Sequence, residues 1–157
     1  MQHTHKPISL VEIKATNKDG TRLYETPEGN EYPSITTVLS IRNKQGLNAW
    51  RKRVGNDVAN YISRTAAARG TAMHKILERY IGEEGYLDLT KVGLNAHNMA
   101  IRVIEQGLCN VSEYYGIECT LHYPGLYAGQ TDMVGVHKGQ DAIIDFKQTN
   151  KPKREEW

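Results

Sequence analysis

The sequence predicts a mixed α/β fold of the α+β type, with helices in the middle of the chain and a three-stranded antiparallel meander after them. Two changes of pattern support this fold class. Apolar residues recur with the helical period of about 3.6 through the middle of the chain, and from Ile117 they alternate with polar residues as in strands. Turn signals at Pro124-Gly125 and Lys138-Gly139 then divide the last part into three strands.

The N-terminal part predicts a β-hairpin. Two β-prone runs flank Asn17-Lys18-Asp19-Gly20, where Asp-Gly favours a tight turn. Pro33-Ser34 then indicates the start of a helix. We therefore expect one domain over residues 1–157, with a hairpin extension over 1–32 and a core over 33–157.

Several helical segments are predicted between the hairpin and the meander. "LNAWRKRV" ends at Gly55, "NDVANYISRTAAA" begins with an Asn56/Asp57 cap, and Arg69-Gly70-Thr71 interrupts the helix. The next segment carries an apolar stripe formed by Met73, Ile76, Leu77, Tyr80 and Ile81. After the "GEEG" break, "LNAHNMAIRVIEQGLCNVSEYY" predicts a helix that turns inward Leu94, Ala100, Ile101, Ile104 and Leu108.

The composition fits an ordinary soluble globular domain. The chain has 157 residues, of which 39% are hydrophobic and 24% charged. No stretch approaches the roughly 18 apolar residues of a membrane span, and the first residues lack the apolar region of a signal peptide. We therefore expect an intracellular, cytoplasmic protein without membrane association. Two cysteines cannot supply the four thiolates of a structural zinc site or an iron–sulfur cluster, so we interpret both as reduced thiols.

The distribution of charge says more about partners than the net charge of +2. Residues 42–53 contain five basic residues and no acid, and residues 147–154 contain four basic residues and no acid. Either run alone fits a solvated face. Two such runs favour a polyanionic partner.

The sequence "GQTDMVGVHKGQDAIIDFKQTN" places charged residues on neighbouring strands. Asp145 and Lys147 share one face, about 7 Å apart along the strand. If the Lys138-Gly139 turn has two or four residues, Asp132 lies opposite Asp145; a turn of three or five residues would shift the register by one. Like charges directly opposite each other are destabilising, and a cation between them would remove the conflict.

Paired carboxylates beside a lysine suit metal-dependent phosphodiester chemistry. Carboxylate oxygens hold Mg²⁺ or Mn²⁺, and a lysine can orient a water or offset charge on phosphorus. An isolated Asp-x-Lys, however, is more often a surface ion pair on an edge strand.

His74 and Glu78 lie on one side of a helix at i and i+4, where a histidine is usually a half-buried core residue. Gly70 before them permits close approach of another backbone.

Taken together, residues 33–151 resemble the PD-(D/E)XK nuclease superfamily in its RecB-like branch. The resemblance is carried by "RGTAMHKILERYI", "YAGQTDMVGV" and "AIIDFKQT" in that order. With "YPSITTVLS" and "LNAWRKRVG" upstream, the chain most resembles the mitochondrial genome maintenance exonucleases and their phage relatives, which act on single-stranded DNA. This implies a restriction-endonuclease-like core and an intracellular protein of the phage or bacterial kind.

The resemblance implies a site that uses Mg²⁺ or Mn²⁺ as cofactor. The implied metal ligands are His74, Asp132, Asp145 and the carbonyl of Phe146. Lys147 would be the catalytic lysine, acting with Asp132 and Asp145. Glu78 matches the helix glutamate of the motif, and Glu118 either supports the site or is a surface glutamate on an edge strand.

The resemblance also implies contacts with single-stranded DNA. The residues expected to contact it are Arg51, Lys52, Arg53, Arg69, Thr71, Gln148, Thr149 and Lys151.

The chain departs from the pattern in two places. Gln148 stands where relatives often carry a small hydroxyl residue, for which Thr149 can substitute, and "KPKREEW" stands where a final core helix should begin. We therefore expect a core truncated at its C-terminus.

The function implied by the resemblance is a metal-dependent exonuclease acting on single-stranded DNA ends. One alternative is a structure-specific endonuclease of the same superfamily. Another is a DNA-binding module without catalysis, which would keep only a basic groove. The polarity of cleavage, the preference for DNA over RNA and the oligomeric state do not follow from these residues.

Overall fold

A computed structural model describes residues 3–11 and 13–149, without the side chains of residues 41–45. Its helices are α1 (Ile35–Val54), α2 (Asn56–Ile81) and α3 (Lys91–Gln106). Its strands are β1 (Thr4–His5), β2 (Lys14–Lys18), β3 (Thr21–Glu25), β4 (Glu31–Pro33), β5 (Val111–Tyr123), β6 (Tyr127–His137) and β7 (Gln140–Ile144). The predicted mixed α+β class and the final meander, β5 to β7, are confirmed.

The strands form two sheets. The larger has the order β1-β5-β6-β7, in which β1 runs parallel to β5 and the other pairs are antiparallel. The smaller is the antiparallel sheet β2-β3-β4. The predicted hairpin is β2–β3, and its turn residues Asp19 and Gly20 have φ of 50° and 76°. Strands β1 and β4 were not predicted because two or three residues are too short to show a period.

The turn between β6 and β7 has two residues, Lys138 and Gly139, with φ of 51° and 79°. Its register runs from His137 opposite Gln140 to Met133 opposite Ile144. Continuing that register by one position places Asp132 opposite Asp145, as predicted for a two-residue turn.

Helix α1 begins as predicted, because the Ser34 hydroxyl accepts a hydrogen bond from the Thr37 N–H at 3.0 Å. The predicted Asn56/Asp57 cap is wrong. Gly55, with φ of 85°, ends α1 and is itself the N-cap of α2, where no side-chain hydrogen bond caps the helix among the described residues. Asp57 lies in the first turn of α2 instead, where its charge suits the helix dipole.

The main core lies between α2, α3 and the larger sheet. The predicted stripe on α2 is confirmed for Met73, Ile76, Leu77 and Ile81, whereas Tyr80 is 37% exposed. On α3 the prediction is only partly right, since Ala100 and the following Leu108 are buried but Leu94 and Ile101 are about half exposed. Ile104 packs against the core as predicted, and the buried positions of α3 are the small residues Gly93, Ala96 and Ala100.

The end of α3 was predicted too late. The helix ends at Gln106, a 3₁₀ turn covers Leu108–Asn110, and β5 already begins at Val111 rather than at Ile117. Two register irregularities, between Val111 and Glu113 and between Tyr114 and Gly116, break the alternation of β5. Without a clean period of two, this part of the strand could not be distinguished from helix.

The smaller sheet contacts the larger one at β6. Ile13 and Tyr24 pack on Ala128, which is fully buried, and Ser34 forms an isolated parallel bridge with the same residue. The N-terminal extension is therefore attached to the strand that carries Asp132.

Within the described residues, every helix is too short or too polar to cross a lipid bilayer. Three predictions concern residues that lie outside the described part: the contact by Lys151, the basic segment 151–154, and the truncated final helix.

Gly70 lies inside α2 and does not interrupt it, so the predicted break is wrong. A Cβ at Gly70 would lie 2.8 Å from Nε2 of Gln148. The Gln148 amide donates to the carbonyl of Ala66 and accepts from Nε of Arg69 at 2.7 Å. The glycine thus allows the segment after β7 to dock closely on α2.

Replacing Gly70 by alanine should displace Gln148 and remove both of its contacts with α2. Alanine in a helix interior normally gains about 0.5–1 kcal/mol over glycine. We expect that gain for Gly46→Ala, since Gly46 has open space around it in α1. For Gly70→Ala the lost hydrogen bonds, at about 0.5–1.5 kcal/mol each, should cancel it. Urea denaturation of both variants tests this, and equal stabilisation would contradict it.

Candidate metal centre

Three predicted residues from separate elements converge in the structure. His74 of α2, Glu118 of β5 and Asp132 of β6 each offer one ligand atom, and these atoms lie within 4.8 Å of one another. Asp132 is 9% exposed, His74 is half-buried, and Glu118 is open to solvent. We call these three residues the metal group, because an imidazole nitrogen and two carboxylates are donors that divalent cations accept.

Both ring nitrogens of His74 face oxygen acceptors. Nε2 lies 2.7 Å from the carbonyl oxygen of Phe146, and Nδ1 lies 3.2 Å from Oδ1 of Asp132. A neutral imidazole carries only one N–H and can satisfy only one of these oxygens. A cation between Nδ1 and the Asp132 carboxylate would give the second nitrogen a partner.

The main chain of Phe146 forms hydrogen bonds with both Asp132 and His74. Its N–H donates to Oδ2 of Asp132, and its carbonyl accepts from His74. The Phe146 ring is buried in the main core and meets the His74 ring edge-on, with centroids 6.3 Å apart. Phe146, two residues after the end of β7, thus holds β6 and α2 together at the metal group.

Glu118 and Asp132 occupy opposed positions on β5 and β6, since Ile117 pairs with Met133 and Cys119 with Thr131. Partial burial is the main cause that raises the pKa of Glu118, and the negative charges of Asp132 and Glu78 raise it further. His74 and a hydrogen bond from Gln130 act in the opposite direction. Glu118 also has a positive φ of 52°, which is uncommon for a residue with a side chain.

Asp145 and Lys147 pair with each other rather than with the metal group. Lys147 Nζ lies 2.7 Å from Oδ1 of Asp145, and both side chains are about half exposed. The strand predicted to carry them is shorter than expected, because β7 ends at Ile144, before both residues. An exposed ion pair that follows an edge strand also fits the alternative interpretation, a surface ion pair. Their roles in catalysis and metal binding stay predictions.

A cleft of about 350 Å³ opens beside the metal group. It is lined by Gly70, Thr71, His74, Lys75, Glu78 and Glu118. Glu78 lies 3.8 Å from Lys75 Nζ in an i,i+3 pair. The cleft brings the helix motif and the first strand of the meander together, which their separation in the sequence does not show.

The residues predicted to contact DNA lie in several places. Arg69 and Gln148 bond to each other, and Thr71 lines the cleft. Arg51 donates to Asn60 Oδ1 at 2.5 Å, next to the exposed Lys52 and Arg53 at the end of α1. At 1.5 Å per residue, the rise along α2 from Asn60 to His74 is roughly 21 Å. Thr149 is the last residue of the described part of the chain.

Sequence reasoning missed Gln130 and Arg22. Gln130 Nε2 donates to Oε2 of Glu118 at 2.6 Å, and Arg22 Nη2 lies 3.4 Å from Oε1 of Gln130. Only the position of Gln130, two residues before Asp132 on one strand, could have drawn attention to it. Arg22 belongs to the other sheet, and no local pattern connects it with the site.

No protein-family model matches the chain. The chain is similar to Mitochondrial genome maintenance exonuclease 1 of Mus musculus, with 29% identity over 136 residues that cover 79% of this chain. The match covers 39% of the mouse protein, so the chain spans well under half of that relative's length. The similarity supports a distant relationship to a nuclease.

Because its folded-state pKa is raised, Glu118 makes the folded state bind protons more strongly than the unfolded state does. The free energy of unfolding therefore falls as pH rises from the unfolded-state pKa of Glu118, about 4.3, through its raised folded-state pKa. In EDTA, we expect Glu118→Gln to melt at a higher temperature than the wild type at pH 7, and this gain should vanish near pH 4. Adding Mn²⁺ at pH 7 should stabilise the wild type more than the variant. A variant that melts lower at pH 7 in EDTA would contradict this account.

Proposed function

We propose that the chain is a metal-dependent deoxyribonuclease of the PD-(D/E)XK, RecB-like type, which hydrolyses phosphodiester bonds at the ends of single-stranded DNA. The convergence of His74, Glu118 and Asp132 beside the Phe146 main chain carries this proposal. The similarity to a mouse protein named as an exonuclease supports it. In this proposal residues 1–157 act as one domain.

Mg²⁺ or Mn²⁺ fits the residues present. A cation would satisfy Nδ1 of His74 and would relieve the repulsion between Glu118 and Asp132. Asp145, opposite Asp132 in the register, and the Phe146 carbonyl would complete the set of donors. When bound, such an ion polarises a phosphate oxygen and lowers the pKa of water so that it can act as a nucleophile.

The protein's own residues would then orient the reaction. Lys147 would donate to the phosphate oxygen on which charge develops, or hold the attacking water, and Asp145 keeps its ammonium group in place at 2.7 Å. The hydrogen bond from Phe146 N–H fixes the Asp132 carboxylate. Preorganised groups of this kind lower the barrier because they need no rearrangement during the reaction.

The DNA strand would run from the cleft along α2. Thr71 lines the cleft, and Arg69 lies two residues before it on α2. Asn60, which accepts a hydrogen bond from Arg51, lies roughly 21 Å from His74 along the helix axis. Lys151 would add a contact beyond the described residues. Because these contacts are with phosphates, binding should weaken steeply as salt increases.

Lys147→Ala tests the chemistry. In single-turnover cleavage of a labelled single-stranded oligonucleotide with Mn²⁺, we expect the rate to fall by at least about 100-fold, since one group that stabilises the transition-state charge is lost. Lys138→Ala, an exposed lysine in the β6–β7 turn, is the matched control and should cleave at the wild-type rate. EDTA should abolish cleavage in all three proteins, and a circular single-stranded substrate should stay intact.

Other results would favour the alternatives. Cleavage of the circle would indicate an endonuclease. DNA binding without cleavage by any of the proteins, at every metal concentration, would indicate a binding module. Equal cleavage by Lys147→Ala and the wild type would rule out the proposed catalytic lysine.

A further inference from the structure

A chain of hydrogen bonds joins the N-terminal sheet to the metal group. Arg22 on β3 donates from Nη2 to Oε1 of Gln130 at 3.4 Å, and Gln130 on β6 donates from Nε2 to Oε2 of Glu118 at 2.6 Å. A carboxylate oxygen of Glu118 in turn lies within 4.8 Å of ligand atoms of His74 and Asp132. The two contacts of Gln130 therefore span both sheets of the structure.

The chemistry of the end groups fixes which atoms donate and which accept in these hydrogen bonds. A guanidinium only donates hydrogen bonds and a carboxylate only accepts them. Turning the Gln130 amide over would set its oxygen against Glu118 and its N–H₂ against Arg22. The amide consequently has one favourable orientation, and charge at both ends strengthens its contacts.

A ring contact and a backbone hydrogen bond restrain Arg22. Its guanidinium lies over the ring of Tyr24, 5.1 Å from the centroid, and its carbonyl accepts a hydrogen bond from Ser34 N–H at 3.2 Å. Tyr24 is 2% exposed and packs on Ala128 of β6. Packing between the sheets thus determines where the guanidinium can reach.

Glu118 needs such a restraint. Its backbone has a positive φ, its side chain is open to solvent, and a like charge lies opposite it on β6. Repulsion from Asp132 would turn the carboxylate away into solvent if nothing opposed it. The hydrogen bond from Gln130 is the contact that keeps it beside His74 and Asp132.

We propose that Gln130 and Arg22 are positioning residues that hold the Glu118 carboxylate in the metal group, so that the N-terminal sheet contributes to metal affinity. This inference rests on the proposed function, because it assumes that the metal group binds a divalent cation. Neither residue touches the metal or the substrate; Gln130 acts through Glu118, and Arg22 acts through Gln130.

The test is a Mn²⁺ titration of the full chain, followed by electron paramagnetic resonance of the free ion. Gln130→Met keeps the length of the side chain and removes both polar contacts. It should raise the dissociation constant for Mn²⁺ by roughly 10-fold, the lower end of the usual effect of losing an outer contact of a metal ligand. Arg22→Ala should raise it less, since its contact with Gln130 is longer.

Double variants distinguish positioning from a general loss of structure. Arg22→Ala should add nothing in the Gln130→Met background, and Gln130→Met should add nothing in the Glu118→Gln background, because each acts through the next residue. Lys18→Ala removes the Lys18–Glu31 ion pair in the same small sheet and should leave the Mn²⁺ affinity unchanged.

The outcomes separate this inference from the proposed function. Wild-type affinity in Gln130→Met, with the wild type binding Mn²⁺ and cleaving DNA, would overturn the positioning role and leave the nuclease intact. Additive losses in the double variants, or an equal loss in Lys18→Ala, would also overturn it. A wild type that binds no Mn²⁺ would overturn both.

Discussion

The main chain of Phe146 is the contact on which the rest of the site depends. Its N–H donates to Asp132 and its carbonyl accepts from His74, so this residue, the second after the end of β7, fixes β6 and α2 relative to each other. Gln148 adds a second attachment two residues later, and Gly70 leaves the space for it. The helix motif and the strand motif become one site because this short segment is bound at both points.

The side chains of the metal group are in electrostatic conflict with one another. Glu118 and Asp132 are opposed on adjacent strands, and His74 faces oxygen atoms from both ring nitrogens. Ordinary packing does not require such an arrangement, since opposed carboxylates are destabilising. The conflict is tolerated because the backbone of Phe146 and the amide of Gln130 supply compensating hydrogen bonds. A bound cation would turn the same geometry into a favourable one.

Sequence patterns predicted the parts of this structure that depend on local chemistry. The meander and the position of its turn follow from strand alternation and from Lys138-Gly139, and the opposition of Asp132 and Asp145 was expected for a turn of two or four residues. The structure has the two-residue turn. The position of Glu118 did not follow, because irregular pairing and a positive φ in β5 break the alternation. Gly70 was interpreted as a helix break, since its real partner, Gln148, lies far away in the sequence. The link through Arg22 depends on contact between two sheets, which no local pattern reports.

The most direct test of a divalent-cation site at this position is pulsed electron paramagnetic resonance of the chain with one equivalent of Mn²⁺. We predict a nitrogen coupling from a directly bound imidazole in the wild type, absent in His74→Ala and retained in His122→Ala, since His122 stacks on Tyr32 and is not part of the metal group. Bound Mn²⁺ without nitrogen coupling, or a coupling that survives in His74→Ala, would contradict the account.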